Sequence, residues 1–343
     1  MTKTENIIDL RSDTVTKPTK AMLSAMVGAE LGDDVYGEDP TVNRLEELAA
    51  ALSAKEASIF VPSGTQSNLL ALLVHCERGD EYIVGQQGHT YKYEGGGAAV
   101  LGSIQPQPLD YDSDGTLNLS LVESYIKPDD PHFAKTKLLC LENTQAGKAL
   151  PIEYLTKARA FCSSNGLALH LDGARLFNAC VSLGESLTTI TDQFDTVSIC
   201  LSKGLGAPVG SVLCGPEKLV KKARRWRKVL GGGMRQAGIL AAAGIYALEN
   251  HIDRLADDHK NANMLSDLLA EIDDSRIMVS DAQTNMVFLS LRDIDPIAFS
   301  KKLAEKNILT TPSVKMRMVT HLNVDRQDIP YIAEVMSSVL KSL

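Results

Sequence analysis

Short apolar runs alternate with helical repeats along most of this chain. The runs are apolar at nearly every position and occupy residues 57–61, 81–85, 137–141, 167–171 and 196–201. Segments with apolar residues at helical spacing occupy residues 40–52, 66–76 and 151–164. Strands that are apolar on both faces are typical of a mostly parallel sheet covered by crossover helices. The pattern therefore predicts an α/β fold.

A different pattern begins near residue 236. Residues 236–272 keep apolar positions at helical spacing, and a shorter strand-and-helix pattern continues to residue 343. We therefore predict a large domain of residues 1–240, which includes the N-terminal segment, and a small C-terminal α+β domain of residues 241–343.

Charge and composition narrow the classes of partner. The 343 residues include 43 acidic and 35 basic side chains, a formal charge of −8, and 44% hydrophobic residues, which is typical of a folded globular chain. An acidic chain lacks the excess of Lys and Arg that neutralises phosphates, so we expect no nucleic-acid partner. No apolar stretch approaches the roughly 20 residues that span a bilayer, and residues 1–14 lack the apolar core of a signal peptide. We expect no membrane partner and a cytoplasmic location.

The cysteines give no sign of a disulfide framework or of a zinc site. All six are far apart, and most lie among apolar residues. None belongs to a C-x-x-C pair or to a zinc-binding spacing. We predict reduced thiols in the core of the protein and no metal site.

A polar turn joins the first predicted strand to a helix. Gly64 and Thr65 lie at this turn. The first N–H groups of a helix have no partners within the helix, and they bind phosphate without a lysine. Because Ser63, Gly64 and Thr65 also make a suitable helix cap, the turn alone supports both interpretations.

Asp172 and Lys203 each follow a predicted buried strand. Both therefore lie at the carboxyl edge of the sheet, where open α/β sheets bind ligands. A lysine there is costly to bury unless it is paired or used covalently, and a lysine that extends to solvent is the alternative. Pyridoxal phosphate (PLP) requires this pair, because the amine forms a Schiff base and the carboxylate keeps the ring nitrogen protonated. Together with the phosphate turn, the two residues predict a PLP site.

The chain resembles a known family in six segments. They are IDLRSDTVTKPT at residues 8–19, GDDVYGEDPTVN at 32–43, FVPSGTQSN at 60–68, LHLDGARLFNA at 169–179, SICLSKGLGAPVGS at 198–211 and GGGMRQAG at 231–238. These segments are similar to those of the low-specificity L-threonine and L-allo-threonine aldolases. The resemblance implies a fold-type I PLP-transferase fold, like that of aspartate aminotransferase, and cleavage of both amino acids to glycine and acetaldehyde. It also implies a homotetramer with active sites at subunit interfaces.

The resemblance implies roles for the residues of the cofactor site. Lys203 is the Schiff-base lysine, and Asp172 is the partner of the pyridine nitrogen. Gly64 and Thr65 hold the phosphate, and His89 stacks on the cofactor ring.

Residues that contact the substrate are implied as well. His132 lies near the substrate hydroxyl, and either His132 or His89 accepts the hydroxyl proton, a choice that the sequence leaves open. Arg175 and Arg317 bind the α-carboxylate with the help of Ser12. Arg175 also belongs to the cofactor site.

Two further segments bear on the resemblance. The basic run at residues 224–228 fits one helix, and the resemblance implies that Lys228 and Arg235 lie near the cofactor phosphate of a neighbouring subunit. Family members commonly read Glu-Asn-Thr-His-Asn-Gly where this chain has Gln145 and Ala146. We expect this departure to affect the fit of the substrate and to leave the cofactor site unchanged.

Other functions are compatible with the same cofactor-site residues. β-Elimination or transamination of a small L-amino acid would use the same cofactor site, and a non-catalytic binding protein with this fold is a further alternative. A nicotinamide dehydrogenase is disfavoured, because no G-x-G-x-x-G follows the first predicted strand.

Overall fold

The computed structural model describes residues 7–343 of the chain. The strands are β1 (Ile8–Asp9), β2 (Ala57–Val61), β3 (Asp80–Gly85), β4 (Gln105–Leu109), β5 (Lys135–Glu142), β6 (Ala168–Gly173), β7 (Thr196–Cys200), β8 (Ser211–Gly215), β9 (Ile277–Val279), β10 (Met286–Leu291), β11 (Ile308–Leu309) and β12 (Lys315–Val319). The α-helices are α1 (Lys20–Val27), α2 (Pro40–Leu52), α3 (Gly64–His75), α4 (His89–Lys92), α5 (Gly97–Gly102), α6 (Leu119–Tyr125), α7 (Ile152–Ser164), α8 (Leu176–Leu183), α9 (Leu187–Thr191), α10 (Glu217–Val229), α11 (Gly238–Asn250), α12 (Leu255–Ala270), α13 (Pro296–Ala304) and α14 (Ile329–Lys341).

A seven-stranded sheet is the centre of the larger part of the molecule, in the order β2-β8-β7-β6-β5-β3-β4. Strand β8 runs antiparallel to both of its neighbours, and the other neighbouring pairs are parallel. The prediction of an α/β fold with a mostly parallel sheet is confirmed. The predicted strands correspond to β2, β3, β5, β6 and β7.

Two strands of this sheet were not predicted from the sequence. Strand β4 contains Pro106 and Pro108, which have no N–H to donate, and it lies at the edge of the sheet, where prolines are tolerated. Strand β8 is apolar and fully buried, but its antiparallel direction follows from the short return after β7 and not from any pattern within it.

Both faces of the sheet are buried, as the continuous apolar runs predict. In β5, Leu139 and Leu141 belong to the largest hydrophobic cluster, whereas Leu138 and Cys140 belong to a second cluster on the opposite face. Successive side chains of a strand point to opposite faces, so the apolar run requires a protein layer on each side.

The capping residues determine where two of the helices begin. Asp39 accepts hydrogen bonds at Oδ1 from the N–H groups of Thr41 (3.1 Å) and Val42 (3.0 Å), and Pro40 occupies the first turn of α2. Ser63 caps α3, because its Oγ accepts from the N–H of Gln66 at 3.1 Å. The first N–H groups of α3 therefore lie at the carboxyl end of β2.

The C-terminal part has its own hydrophobic cluster. The antiparallel sheet β12-β10-β9 packs with α12, α13 and α14, and Ile8 and Leu10 join this cluster. Strand β1 pairs with β11. The predicted helical stretch at residues 236–272 is divided into α11, which packs on α1 and α2, and α12. The division at residue 240 stays a prediction, and both β1 and α11 make contacts across it.

The cysteines lie in the core, as predicted. All six cysteines are buried free thiols. Within residues 7–343, no helix is both long enough and apolar enough to cross a bilayer.

Candidate active site

One pocket at the carboxyl edge of the central sheet brings together predicted site residues from four segments of the chain. Gly64, His89, Asp172 and Lys203 line it. Asp172 is near the end of β6, Lys203 follows β7, and His89 begins α4 after β3. The parallel strands end at the same edge, so the topology alone gathers these side chains.

Two N–H donors hold the carboxylate of Asp172 in place. Asn68 donates from Nδ2 to Oδ2 at 2.8 Å, and the N–H of Ala174 donates to Oδ1 at 3.0 Å. Asp172 is only 4% exposed. The sequence analysis missed Asn68, although it lies on the buried face of α3 within a segment that carried the resemblance.

His89 is anchored by two glutamates that were also missed. Its Nδ1 lies 2.8 Å from Oε1 of Glu94, and its backbone N–H donates to Oε2 of Glu142 at 2.8 Å. The hydrogen bond with Glu94 raises the pKa of His89 against the effect of burial, and burial raises the pKa of Glu94. Burial and the charge of Asp172 raise the pKa of Glu142 to about 7.

The ligand atoms of His89, Glu94 and Asp172 all lie within 4.8 Å of one another, a spacing that would also suit a metal ion. The amide nitrogen of Asn68 lies between the two carboxylates, at 2.8 Å from Oε1 of Glu94 and 2.8 Å from Oδ2 of Asp172. An N–H donor therefore already bridges the acids, and the cluster is accounted for as a hydrogen-bonded network.

The start of α3 opens into the same pocket. A Cβ atom at Gly64 would meet no other atom within 4 Å, and Thr65 is exposed beside it. A Cβ at Gly232 would come within 2.0 Å of Oε1 of Gln66, so the glycine turn at residues 231–233 packs closely against the first turn of α3.

Arg175 makes a buried, bidentate ion pair with Asp13. Its Nε and Nη2 donate to Oδ2 and Oδ1 at 2.8 and 2.6 Å, and Asn285 donates to Oδ2 at 3.3 Å. Burial alone would raise the pKa of Asp13, but Arg175 outweighs it and holds the pKa at about 2. Ser12, which precedes Asp13, accepts at Oγ from the N–H of Thr14. The pair joins the N-terminal segment to the turn between β6 and α8.

Arg317 lies close enough to Arg175 for their charges to interact. The surrounding protein and the guanidinium of Arg175 both lower the pKa of Arg317. Its Nη2 donates to the carbonyl of Arg11 at 3.3 Å, and the side chain is exposed. Two neighbouring guanidinium groups make an electropositive site that is suitable for a carboxylate.

Seven predicted site residues lie outside the set that lines this pocket: Ser12, Thr65, Arg175 and Arg317, described above, and His132, Lys228 and Arg235. His132 is 84% exposed and pairs with Asp130, with 2.6 Å between Nδ1 and Oδ1. Lys228 is exposed at the end of α10, and the exposed Arg235 pairs with Asp33 at 3.1 Å.

The structure shows where the basic run lies, and where the two residues lie that depart from the family motif. Within α10, Arg227 is buried and donates to Asp34 at 2.7 Å, and Arg224 pairs with Glu46 at 2.6 Å, so part of the run faces the protein. Gln145 is buried, and Ala146 is exposed with a left-handed φ of 48°.

The residues present fit PLP. Lys203 supplies an amine, Asp172 a carboxylate, and the open start of α3 supplies N–H groups with space above Gly64 for a phosphate. The fold and this set of donors define a PLP-dependent enzyme of fold type I.

The comparisons with known proteins give the family. The family model "Beta-eliminating lyase" matches residues 9–292. The low specificity L-threonine aldolase of Escherichia coli K12 is 57% identical over 327 residues, which cover 95% of this chain and 97% of that protein. Low-specificity L-threonine aldolase 1 of Arabidopsis thaliana is 43% identical, with 94% of each chain covered. This chain belongs to the low-specificity L-threonine aldolase family, and it is a PLP-dependent lyase.

Solved structures support the fold. The threonine aldolase of Leishmania major superposes with a TM-score of 0.82 at 23% identity, covering 97% of this chain and 99% of that one. The serine palmitoyltransferase of Sphingomonas wittichii superposes with a TM-score of 0.76 at 17% identity, covering 98% and 88%. At these identities the likeness concerns the fold alone.

Proposed function

We propose that this chain cleaves L-threonine and L-allo-threonine to glycine and acetaldehyde. The names of its relatives support the substrate class. The observation that carries the proposal is the single pocket that Lys203, Asp172 and His89 line together. An amine, an acid and an imidazole at one sheet edge are the groups that this chemistry needs.

The cofactor is held by residues from three elements. Lys203 would bond to it through Nζ, Asp172 would pair with its ring nitrogen, and Gly64 and Thr65 would bind the phosphate at the start of α3. Bound PLP supplies an electron sink next to the Cα of the substrate. Because Asn68 and Ala174 fix both oxygens of Asp172, the carboxylate is already oriented for this contact.

The substrate carboxylate binds at the guanidinium groups of Arg175 and Arg317, with Ser12 nearby. Asp13 occupies Nε and Nη2 of Arg175 and thereby fixes the plane of its guanidinium. Among residues 7–343, no other group accepts from the remaining N–H groups of this guanidinium, which are the ones that would meet a carboxylate.

A histidine accepts the proton that leaves the substrate. The β-hydroxyl loses its proton, its O–H electrons form the carbonyl of acetaldehyde, and the Cα–Cβ bond breaks with its electrons remaining on Cα. A proton then adds to Cα to give glycine. His89 is the base favoured by position, because it lines the pocket, whereas His132 is exposed elsewhere in the protomer.

We also propose a cytoplasmic homotetramer in which Lys228 and Arg235 serve a neighbouring subunit. Both side chains are exposed and outside the pocket of their own chain, which supports this role. Sedimentation of the holoenzyme tests the number of subunits.

The reaction is tested with the purified full chain and added PLP. We expect a visible absorption band and acetaldehyde from both isomers in a coupled assay. Lys203→Ala abolishes the lysine-linked band and turnover, whereas the control Lys222→Ala, which removes an exposed lysine of α10, leaves both. 2-Oxobutanoate and ammonia as products would indicate β-elimination of the two isomers, and accumulation of the amine form of the cofactor would indicate transamination. A band without any reaction would favour a binding protein.

A further inference from the structure

The imidazole of His89 has one partnered and one unpartnered nitrogen. Nδ1 is 2.8 Å from Oε1 of Glu94, whose side chain is only 4% exposed. Among residues 7–343, no group forms a hydrogen bond with Nε2. Since His89 lines the pocket beside Lys203 and Asp172, Nε2 is the nitrogen available to a bound molecule.

A second contact fixes the carboxylate of Glu94. Asn68 donates both hydrogens of Nδ2, one to Oε1 of Glu94 and one to Oδ2 of Asp172, each at 2.8 Å. Oε1 of Glu94 therefore faces two donors, Asn68 and His89. An ionised carboxylate only accepts, so the neutral ring of His89 must carry its proton on Nδ1.

The other side of the Asn68 amide faces a buried histidine. Its Oδ1 lies 3.3 Å from Nε2 of His170, whose Nδ1 is 2.9 Å from the hydroxyl of Thr196. Burial lowers the pKa of His170 to about 3, so the ring is neutral and carries one proton. With that proton on Nε2, His170 donates to Asn68 and accepts from Thr196, and Thr196 accepts from Nε2 of His75 at 2.9 Å. This assignment leaves the carbonyl oxygen of Thr196, at 3.1 Å from Nδ1 of His170, without a proton from that ring, so the orientation of Asn68 rests on its two carboxylate partners.

We propose that Glu94 and Asn68 are positioning residues for the proton transfer, a role that rests on the proposed function. Glu94 fixes the proton of His89 on Nδ1, which leaves the lone pair of Nε2 directed into the pocket to receive the β-hydroxyl proton. Asn68 connects this base to Asp172, so that the proton acceptor and the partner of the cofactor ring are held by one side chain. When the proton arrives, the positive charge on the ring is balanced by the Glu94 carboxylate.

The charges around His89 predict the effect of losing Glu94. The hydrogen bond and charge of Glu94 raise the pKa of His89, as does the charge of Asp172, whereas burial and Lys203 lower it. The other facing groups are Glu142, at the backbone N–H, and Tyr93, with 5.8 Å between the ring centroids. Glu94→Gln keeps the shape and removes the charge, so the pKa of His89 should fall.

The tautomer can be measured directly. We would label the full-length chain with ¹⁵N-histidine, bind PLP, and assign His89 among the seven histidines by comparison with His89→Asn. The expected ¹⁵N shifts place the proton of the neutral ring on Nδ1. A proton on Nε2 overturns the proposal, and this measurement on the wild-type chain needs no variant of Glu94 to fold.

The kinetic test compares matched variants. Glu94→Gln should move the acid limb of kcat/KM for L-threonine down by about one pH unit and lower kcat by roughly 10-fold with a smaller change in KM. Glu94→Asp, which keeps the charge, should restore part of the shift. Glu81→Gln is the control, because Glu81 is also a buried, hydrogen-bonded glutamate but lies near the start of β3, at the opposite end of that strand from the pocket.

The outcomes separate this proposal from the proposed function. A Glu94→Gln enzyme that loses cofactor or stability without any shift of the acid limb contradicts the positioning role. If the wild-type chain released no acetaldehyde while the ¹⁵N shifts placed the proton on Nδ1, the proposed function would fail and the assignment of Glu94 to His89 would stand.

Discussion

Two histidine–carboxylate pairs in this chain have nearly the same contact and opposite surroundings. His89 and Glu94 meet at 2.8 Å in the pocket, with side chains 38% and 4% exposed, and His132 and Asp130 meet at 2.6 Å on a surface loop, with side chains 84% and 46% exposed. Burial raises the pKa of Glu94, whereas hydrogen bonds from His132 lower the pKa of Asp130. The surroundings of a pair therefore determine the preferred charge of its carboxyl group more than the contact itself.

The pairs also differ in what they are connected to. Glu94 is bound through Asn68 to Asp172, and His89 through its N–H to Glu142. The loop pair is a local contact between residues two apart. A connected, desolvated pair transmits the loss of one member to its neighbours, while an exposed pair contributes little.

The largest expected effect is on the most buried ion pair beside the pocket. Asp13→Asn leaves Arg175 buried without its counter-charge, because the two side chains are 0% and 10% exposed. We expect a loss of about 3–5 kcal/mol in the free energy of unfolding, measured by chemical denaturation. The control is Asp9→Asn in the pair with Arg11, whose side chains are 17% and 49% exposed, with an expected loss below about 1 kcal/mol. Equal losses would contradict the dependence on burial.

The next effect is on catalysis and compares the two histidines directly. His89→Asn should lower kcat/KM for L-threonine by at least roughly 100-fold, because a pocket base is lost. His132→Asn should have a smaller effect, because the ring is exposed and outside the set that lines the pocket. An equal or larger loss of kcat/KM for His132→Asn would contradict this expectation and place His132 at the active site of a neighbouring copy.

The sequence predicted the backbone of the site better than its supporting side chains. The bounds of β2 and α2 were predicted, since residues 57–61 are apolar at nearly every position and residues 40–52 carry apolar side chains at helical spacing. Asp172 and Lys203 were found because each follows a buried strand. Such signals are local, so they can be recognised in the sequence before the fold is known.

The supporting residues could not be found in this way. Asn68 lies 104 residues from Asp172, and Asp13 lies 162 residues from Arg175. A buried asparagine on an apolar helix carries no local signal of its partner, and Glu94 sits in a glycine-rich loop that favours no particular contact. Their roles depend on which strands become neighbours, as does the antiparallel direction of β8.

A smaller effect is expected from Glu142, the carboxylate that accepts from the N–H of His89. The pKa of Glu142 is about 7 in the folded chain against 4.5 as its ordinary value. Between these values the unfolded chain loses its proton first, so stability falls as the pH rises from 4.5 to 7 and then levels off. Glu142→Gln should remove this slope and stabilise the cofactor-free chain at pH 8 by up to about 3 kcal/mol. Unfolding curves at pH 4.5 and pH 8 test this, and an unchanged slope would show that Glu142 ionises normally.

The smallest effect is expected on the surface loop, and its sign is opposite. Because His132 lowers the pKa of Asp130, the pair stabilises the fold above the ordinary carboxyl pKa and loses that contribution as the pH falls through the lowered value. Both side chains are exposed, so solvent screens the contact, and Asp130→Asn should leave the unfolding midpoint at pH 7 unchanged within error. A clear loss at pH 7 would mean that the loop is buried in the working assembly. The pair of Asp130 and His132 would then be buried in the assembly, like the pair of Glu94 and His89. The contrast between the two pairs would hold for the isolated protomer alone.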